Sequence, residues 1–225
     1  MASSTVFKLA RWAIALAVIL TSVAMILYPG GTLRDPSVRG YSIFQNSLSD
    51  LGSSVAWSSE ANALGARMFT LAFTLFAISS AACLLALVRI YAASPIVRRV
   101  LSIATGIGML SCMGLAGAAL TPPDVNMVLH GHFTTAALLS GIIALLLFAY
   151  ATAFDRRLPR SVPIGWFALA VVLLAWTVVM RWRPSTDLAL AVPVTLQKVV
   201  AVAVVLSLVL QSREAERLED RDHTV

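Results

Sequence analysis

Three short segments of this 225-residue chain carry the side chains whose types could support chemistry. In chain order they are Ser47, Ser49 and Asp50; Asp124, His130 and His132; and Gln197 and Lys198, with Arg67 as a further cation. Imidazole, carboxylate and hydroxyl groups form acid–base and nucleophilic sites, and cations bind anionic groups. The candidate catalytic residues are therefore Asp50, Asp124, His130 and His132. The candidate ligand-binding residues are Lys198, Gln197, Arg67, Ser49 and Asp50.

One hypothesis for the histidines is a metal site. His130 and His132 lie two residues apart, about 200° around a helix, so both reach one ion only if the helix breaks at Gly131. Such a site would add Asp124 and Asp50 as oxygen ligands. No metal-ligand spacing signature is present, so no metal is assigned and no cofactor is expected. The competing interpretation is that these histidines hydrogen-bond loop carbonyls at the membrane interface.

A second hypothesis is a nucleophilic site. It would combine Ser47 or Ser49 with His130 and Asp50 in a Ser–His–Asp arrangement. The chain has no nucleophile-elbow pattern to support it. Whether the protein is an enzyme therefore stays open.

The composition indicates that an integral membrane protein positions these residues. The chain is 59% hydrophobic and 12% charged, against about 45–50% and about 25% in soluble proteins. A net charge of +6 could suggest a nucleic-acid partner, but the basic residues lie between apolar blocks and form no contiguous basic face. A soluble enzyme, a disordered chain and a nucleic-acid binder are therefore excluded.

Apolar runs of about 20 residues predict transmembrane helices, because only helices and closed barrels satisfy the backbone in lipid. Six such runs are present: Trp12–Tyr28, Met68–Val88, Val100–Leu120, Phe133–Phe154, Val162–Met180 and Leu188–Leu210. The expected fold is an all-α bundle of six transmembrane helices in a single multi-pass domain, residues 1–225. Residues 212–225 are expected to form a charged cytoplasmic tail, a frayed helix end in water.

The distribution of lysine and arginine predicts the orientation. Eleven of these residues fall on the side that carries both termini and five on the other side, which places both termini in the cytoplasm. The first span resembles a secretory signal with small residues at 22–24, but its apolar stretch continues to Tyr28 and predicts a retained helix. The expected location is the cell membrane.

The third span is rich in small residues. Gly108 with Cys112, and Gly114 with Ala118, form small-xxx-small pairs that let helix backbones approach closely. This pattern favours a position for the third helix at the centre of the bundle.

Two outer loops carry capping signals. Ser47 and Asp50 stand at capping-box spacing and predict a short helix, and apolar residues such as Tyr41, Leu48 and Leu51 predict that this loop folds against the outer mouth of the bundle. In the second loop, Asp124 is expected to be the N-cap of the fourth helix.

Lys198 is the ionisable residue inside a span. It lies about 15 Å deep if the last helix starts at Leu188. It is shallower and snorkels outward if the helix starts near Pro193. A charged group at depth needs a partner, and Asp50 is expected to hold it, with His130 or Asp124 close by.

These motifs resemble a known family. Ser49-Asp50-Leu51-Gly52, Asp124 with His130-Gly131, and Leu196-Gln197-Lys198 are similar, in the same order, to a six-span prokaryotic membrane family, domain of unknown function number nine hundred and ninety-eight. The last motif more usually carries arginine where this chain has Lys198. The resemblance implies a cytoplasmic-membrane protein and brings no activity with it.

Three functions remain as hypotheses. The first is a protein that binds or processes an outer-leaflet lipid or anionic head group, with membrane lipids as its partners. The second is a small-molecule transporter, although no inverted repeat is present. The third is a structural or regulatory membrane protein whose polar residues only cap helices and pair charges. The substrate and the oligomeric state are not determined by the sequence.

Overall fold

A computed structural model describes residues 3–181 and 187–223 and confirms the all-α architecture. Within these ranges the chain forms six α-helices, one short 3-10 helix and no β-strand. The helices are α1 (Ser3–Leu27), α2 (Ala63–Tyr91), α3 (Pro95–Leu120), α4 (Met127–Ala153), α5 (Ser161–Val179) and α6 (Asp187–His223), and the 3-10 helix, here called the cap helix, spans Leu48–Gly52. All six α-helices are long and apolar enough to cross a membrane.

The helices form a bundle with two distinct ends. Each helix packs against the next in the chain, and α6 returns to α1 and α2. Both ends of the chain lie together, since the Arg11 guanidinium is 2.7 Å from the Glu216 carboxylate. We call this the terminal end of the bundle. The opposite end carries the first loop (residues 28–62) and the α3–α4 loop, and we call it the loop end.

The central helix is α2 and not α3, contrary to the sequence interpretation. α2 packs against α1, α3, α6 and the cap helix, whereas the neighbours of α3 are chiefly α2 and α4. The small residues of α3 serve close approaches on two sides: Gly108 faces Leu84 of α2, and Gly114 and Gly117 face α4. At Gly114 an added Cβ would lie 2.8 Å from the Phe133 carbonyl oxygen. Small residues in a helix therefore mark tight interfaces with its neighbours and do not require burial on all sides.

The last helix also differs from expectation. The described part of the C-terminal segment does not fray into water, because α6 continues to His223. Ala215 and Leu218 are buried against Phe7 and Tyr91 at the terminal end. Gln211, Ala215 and Leu218 recur at i, i+4 and i+7 and so share one helix face. That face binds the bundle, and Glu216 beside it pairs with Arg11 of α1.

The first loop packs on the loop end of the bundle, as predicted. Leu51 is fully buried, and Leu48 is nearly so, in a cluster with Tyr28 and Phe69. Burying a leucine side chain from water stabilises by about 1.5–3 kcal/mol, so these two residues anchor the loop. Ile43 and Phe44 remain exposed and extend the apolar surface of this end.

Local side-chain caps explain the starts of α3, α4 and the cap helix. Ser94 accepts a hydrogen bond from the Val97 N–H and precedes Pro95 in the first turn of α3, a favourable combination. Asn126 does the same for α4 through the Leu129 N–H at 3.0 Å. Asp124 is therefore not the N-cap of α4, contrary to prediction. The cap helix has the predicted capping box between Ser47 and Asp50.

Candidate functional site

The polar residues of α6 hold the first loop. α6 starts at Asp187, with Pro193 inside it, so Lys198 lies eleven residues, about 16 Å, below its start. The Lys198 ammonium donates to the Asn46 carbonyl at 2.6 Å and to the Val194 carbonyl at 3.3 Å. The preceding Gln197 accepts a hydrogen bond from the Leu48 N–H at 2.8 Å. Consecutive residues of α6 therefore bind the entry of the cap helix.

Asp50 is not the direct partner of Lys198, and the predicted ion pair is wrong. Its carboxylate accepts hydrogen bonds from the Ser47 N–H at 2.9 Å, from the Ser47 hydroxyl at 2.8 Å and from the Asn46 amide at 3.1 Å. Donors within its own turn therefore satisfy this carboxylate. The negative charge still attracts the ammonium through space, with Asn46 between them.

Asn46 is the residue that joins these groups, and no pattern in the sequence had indicated it. Its side chain is completely buried. The amide donates to the Gly31 carbonyl at 2.9 Å and to Asp50, and its oxygen accepts from the Ser42 N–H at 2.9 Å. Its backbone carbonyl receives Lys198. Asn46 thus connects both halves of the first loop to α6.

Tyr41 packs against this network. The Tyr41 hydroxyl donates to the carbonyls of Asn46 and Ser47, each at 3.1 Å, and the Lys198 ammonium lies 5.4 Å from the centre of the Tyr41 ring, within cation–π range. Burial, with smaller contributions from the charge of Asp50 and from Tyr28, raises the pKa of Tyr41. The phenol therefore stays protonated and remains a donor.

His130 is the buried histidine of α4. Its Nδ1 lies 3.0 Å from the Ala118 carbonyl and 2.9 Å from the Thr121 carbonyl, as the loop-carbonyl interpretation predicted. Carbonyl oxygens only accept, so Nδ1 carries the proton, and in the neutral imidazole Nε2 is then an acceptor. The Ser49 hydroxyl lies 3.2 Å from Nε2 and can donate to it in this tautomer.

The other members proposed for a metal or triad lie elsewhere. His132 is exposed on α4, and neither Asp50 nor Asp124 contacts His130 among the bonds of the described residues. The same residues contain no group of three or more His, Cys, Asp or Glu side chains that could hold a metal ion. Asp124, His130 and His132 therefore do not converge.

Asp124 ties the α3–α4 loop to the first loop. Its carboxylate accepts from the Ser54 N–H at 3.0 Å, the Ser54 hydroxyl at 2.5 Å and the Val55 N–H at 3.0 Å. Burial raises the pKa of Asp124, but the bonds from Ser54 and Val55 outweigh it and the net direction is down. The carboxylate stays charged at neutral pH and keeps this connection.

Arg67 lies apart from Lys198, beside an open groove at the loop end. The groove has a volume of about 540 Å³ and is lined by three turns of α2 together with the first loop and the α3–α4 loop. The lining residues that matter below are Gly52, Ser54, Arg67, Leu71 and Pro122. The Arg67 side chain is exposed. It makes no hydrogen bond or ion pair with the residues that the structure describes.

The structure therefore separates the candidates into a first-loop network and a groove. Ser49, Asp50, Gln197 and Lys198 all belong to the network that binds the first loop. Arg67 remains as the cation with free donors at the groove. No protein-family model, curated protein or solved structure matches this chain.

Proposed function

We propose that this protein binds an anionic lipid, with the head group at Arg67 and an acyl chain along the groove beside α2. Six apolar helices are consistent with a multi-pass membrane protein, and the proposal adds a lipid ligand and the cell membrane as location. The observation that carries it is an exposed arginine, without a partner among the described residues, that lines an open groove.

The groove has the volume of a small-molecule site. Its volume of about 540 Å³ falls within the roughly 300–1,000 Å³ of small-molecule pockets. It runs from Ala63 to Thr74 along α2, past the exposed Leu71, which is about 16 Å at 1.5 Å per residue. Arg67 lies four residues after Ala63, so about 10 Å of groove continues beyond it to Thr74, past Leu71 and Thr70. That length suits the first part of an acyl chain below an anionic head group.

The first prediction is that Arg67→Gln removes a bound lipid. Native mass spectrometry of protein extracted in mild detergent should find anionic lipid on the wild type. The variant should bind it roughly ten-fold or more weakly, because a hydrogen bond to a charged group contributes about 1.5–3 kcal/mol. Arg39→Gln is the matched control, since Arg39 is also exposed at the loop end. Equal lipid retention by all three proteins would count against the proposal.

We also propose that the loop end faces outward and the terminal end faces the cytoplasm. The lysine and arginine asymmetry supports this orientation. In a background without Cys83 and Cys112, which are both free thiols, a cysteine replacing the exposed Ser54 should react with an impermeant maleimide on intact cells. A cysteine replacing the exposed Ser161, at the start of α5, should react only after lysis. Labelling of position 161 from outside would reverse the assignment.

A structural role is the second candidate. Four polar residues of the helices and the α3–α4 loop hydrogen-bond the first loop: Gln197, Lys198, His130 and Asp124. Such bonds are what a protein needs if its first loop is to stay packed on the bundle. Under this hypothesis wild-type protein carries no specific lipid. Membership of the six-span family of unknown function resembled by the motifs is part of either proposal and adds no activity to it.

A further inference from the structure

Ser49 and His130 form a pair that loop closure does not fully explain. His130 is buried, its Nδ1–H is fixed by two carbonyls, and its Nε2 faces the Ser49 hydroxyl at 3.2 Å. This is the arrangement of a serine nucleophile and its general base, in which a third group orients the imidazole. Here backbone carbonyls take the orienting place that a carboxylate holds in a triad.

Neither Ser49 nor His130 lines the Arg67 groove, but each is joined through its neighbours to a residue that does. Ser49 precedes Gly52 by three residues in a 3-10 helix, and residues three apart in such a helix share a face. Thr121, whose carbonyl holds His130, adjoins Pro122. Gly52 and Pro122 both line the groove. The Ser49 side chain is half-buried, so its hydroxyl is not sealed in the core.

The geometry points to an activity beyond lipid binding: Ser49 and His130 cleave an ester bond of the anionic lipid that the groove binds. This inference rests on the proposed lipid site for its substrate. The Ser49 oxygen attacks the ester carbonyl carbon while its proton passes to His130 Nε2. The carbon–oxygen bond to the alcohol then breaks, and the alcohol leaves with that proton. Water, activated by the same imidazole, hydrolyses the acyl-serine to a carboxylic acid and restores the hydroxyl.

A fluorophosphonate probe tests the nucleophile without any lipid. The folded wild-type protein in detergent should be labelled, and peptide mass spectrometry should place the adduct on Ser49. Ser49→Ala should abolish labelling, and His130→Gln should slow it by roughly 100-fold or more, the usual contribution of a general base. Ser53→Ala is the control, because Ser53 lies in the same segment outside the pair and its loss should leave labelling unchanged.

The outcomes separate the two proposals. No adduct on the folded wild type, an adduct that persists in Ser49→Ala, or equal labelling of heat-unfolded protein overturns the nucleophile, whatever the lipid measurement gives. Labelling at Ser49 with release of fatty acid from phosphatidylglycerol micelles supports both. Labelling of Ser49 in protein that retains no lipid would support Ser49 as a nucleophile and contradict the groove as its substrate site. Peptide mapping on the wild type keeps the test valid if His130→Gln fails to fold.

Discussion

Asn46→Leu is expected to destabilise the folded protein by about 3 kcal/mol or more, because each unsatisfied buried polar group costs about 1–3 kcal/mol. Leucine has a similar size but cannot replace the hydrogen bonds to Gly31, Ser42 and Asp50. All three groups would lose a partner around a side chain that is completely buried. Thermal unfolding in detergent should show a lower midpoint, and a protease should cleave the first loop at temperatures where the wild type resists.

Gln45→Leu provides the control for this prediction. Gln45 is the neighbouring residue and has an exposed side chain, so its replacement should change stability by no more than about 0.5 kcal/mol. Asn46→Leu protein with the same midpoint as Gln45→Leu and a protected first loop would show that Asn46 does not organise the loop.

The six helices followed from the sequence because the bilayer leaves few alternatives. A run of about 20 apolar residues must satisfy its backbone internally, and a helix does so with its own residues. The capping box at Ser47 and Asp50 was equally accessible, since both partners lie within one turn. Packing of the first loop against the bundle could be predicted from Leu48 and Leu51, because exposing leucine side chains to water is unfavourable.

The partner of Lys198 could not be predicted by matching charges. Asp50 has the right sign, but Ser47 and Asn46 offer it donors from three and four residues away. A lysine on another helix competes with these local groups only after the bundle has formed. The ammonium instead takes the Asn46 carbonyl, and a backbone acceptor leaves no mark in a sequence.

The contact between Ser49 and His130 was partly predictable from the sequence. The sequence offered both the carbonyl-bonded histidine and the Ser–His contact as separate alternatives. The structure shows both at once, because the two imidazole nitrogens have different partners. The contact between Ser49 and His130 depends on where the cap helix meets α4, and 81 residues of chain separate the two. No local sequence pattern predicts such a contact.

The approach of α3 to α4 gives the second large effect: of two identical substitutions in one helix, only one is expected to destabilise the protein. At Gly114 a new Cβ would lie 2.8 Å from both the Phe133 carbonyl oxygen and the Ala137 nitrogen, and these backbone atoms of α4 cannot rotate away. Gly114→Ala should therefore destabilise by about 1–3 kcal/mol through overpacking.

Gly106 lies in the same helix, but an added Cβ there meets nothing within 4 Å. Gly106→Ala should leave stability unchanged or raise it by up to about 1 kcal/mol, the helix-propensity gain of alanine over glycine. Thermal unfolding of both variants in the same detergent measures the difference, and propensity cancels because each gains the same methyl group. Because the clash at Gly114 is with backbone, repacking of side chains cannot remove it, and α3 must move away from α4. An equal rise in midpoint for both variants would mean that the two helices do not lie this close.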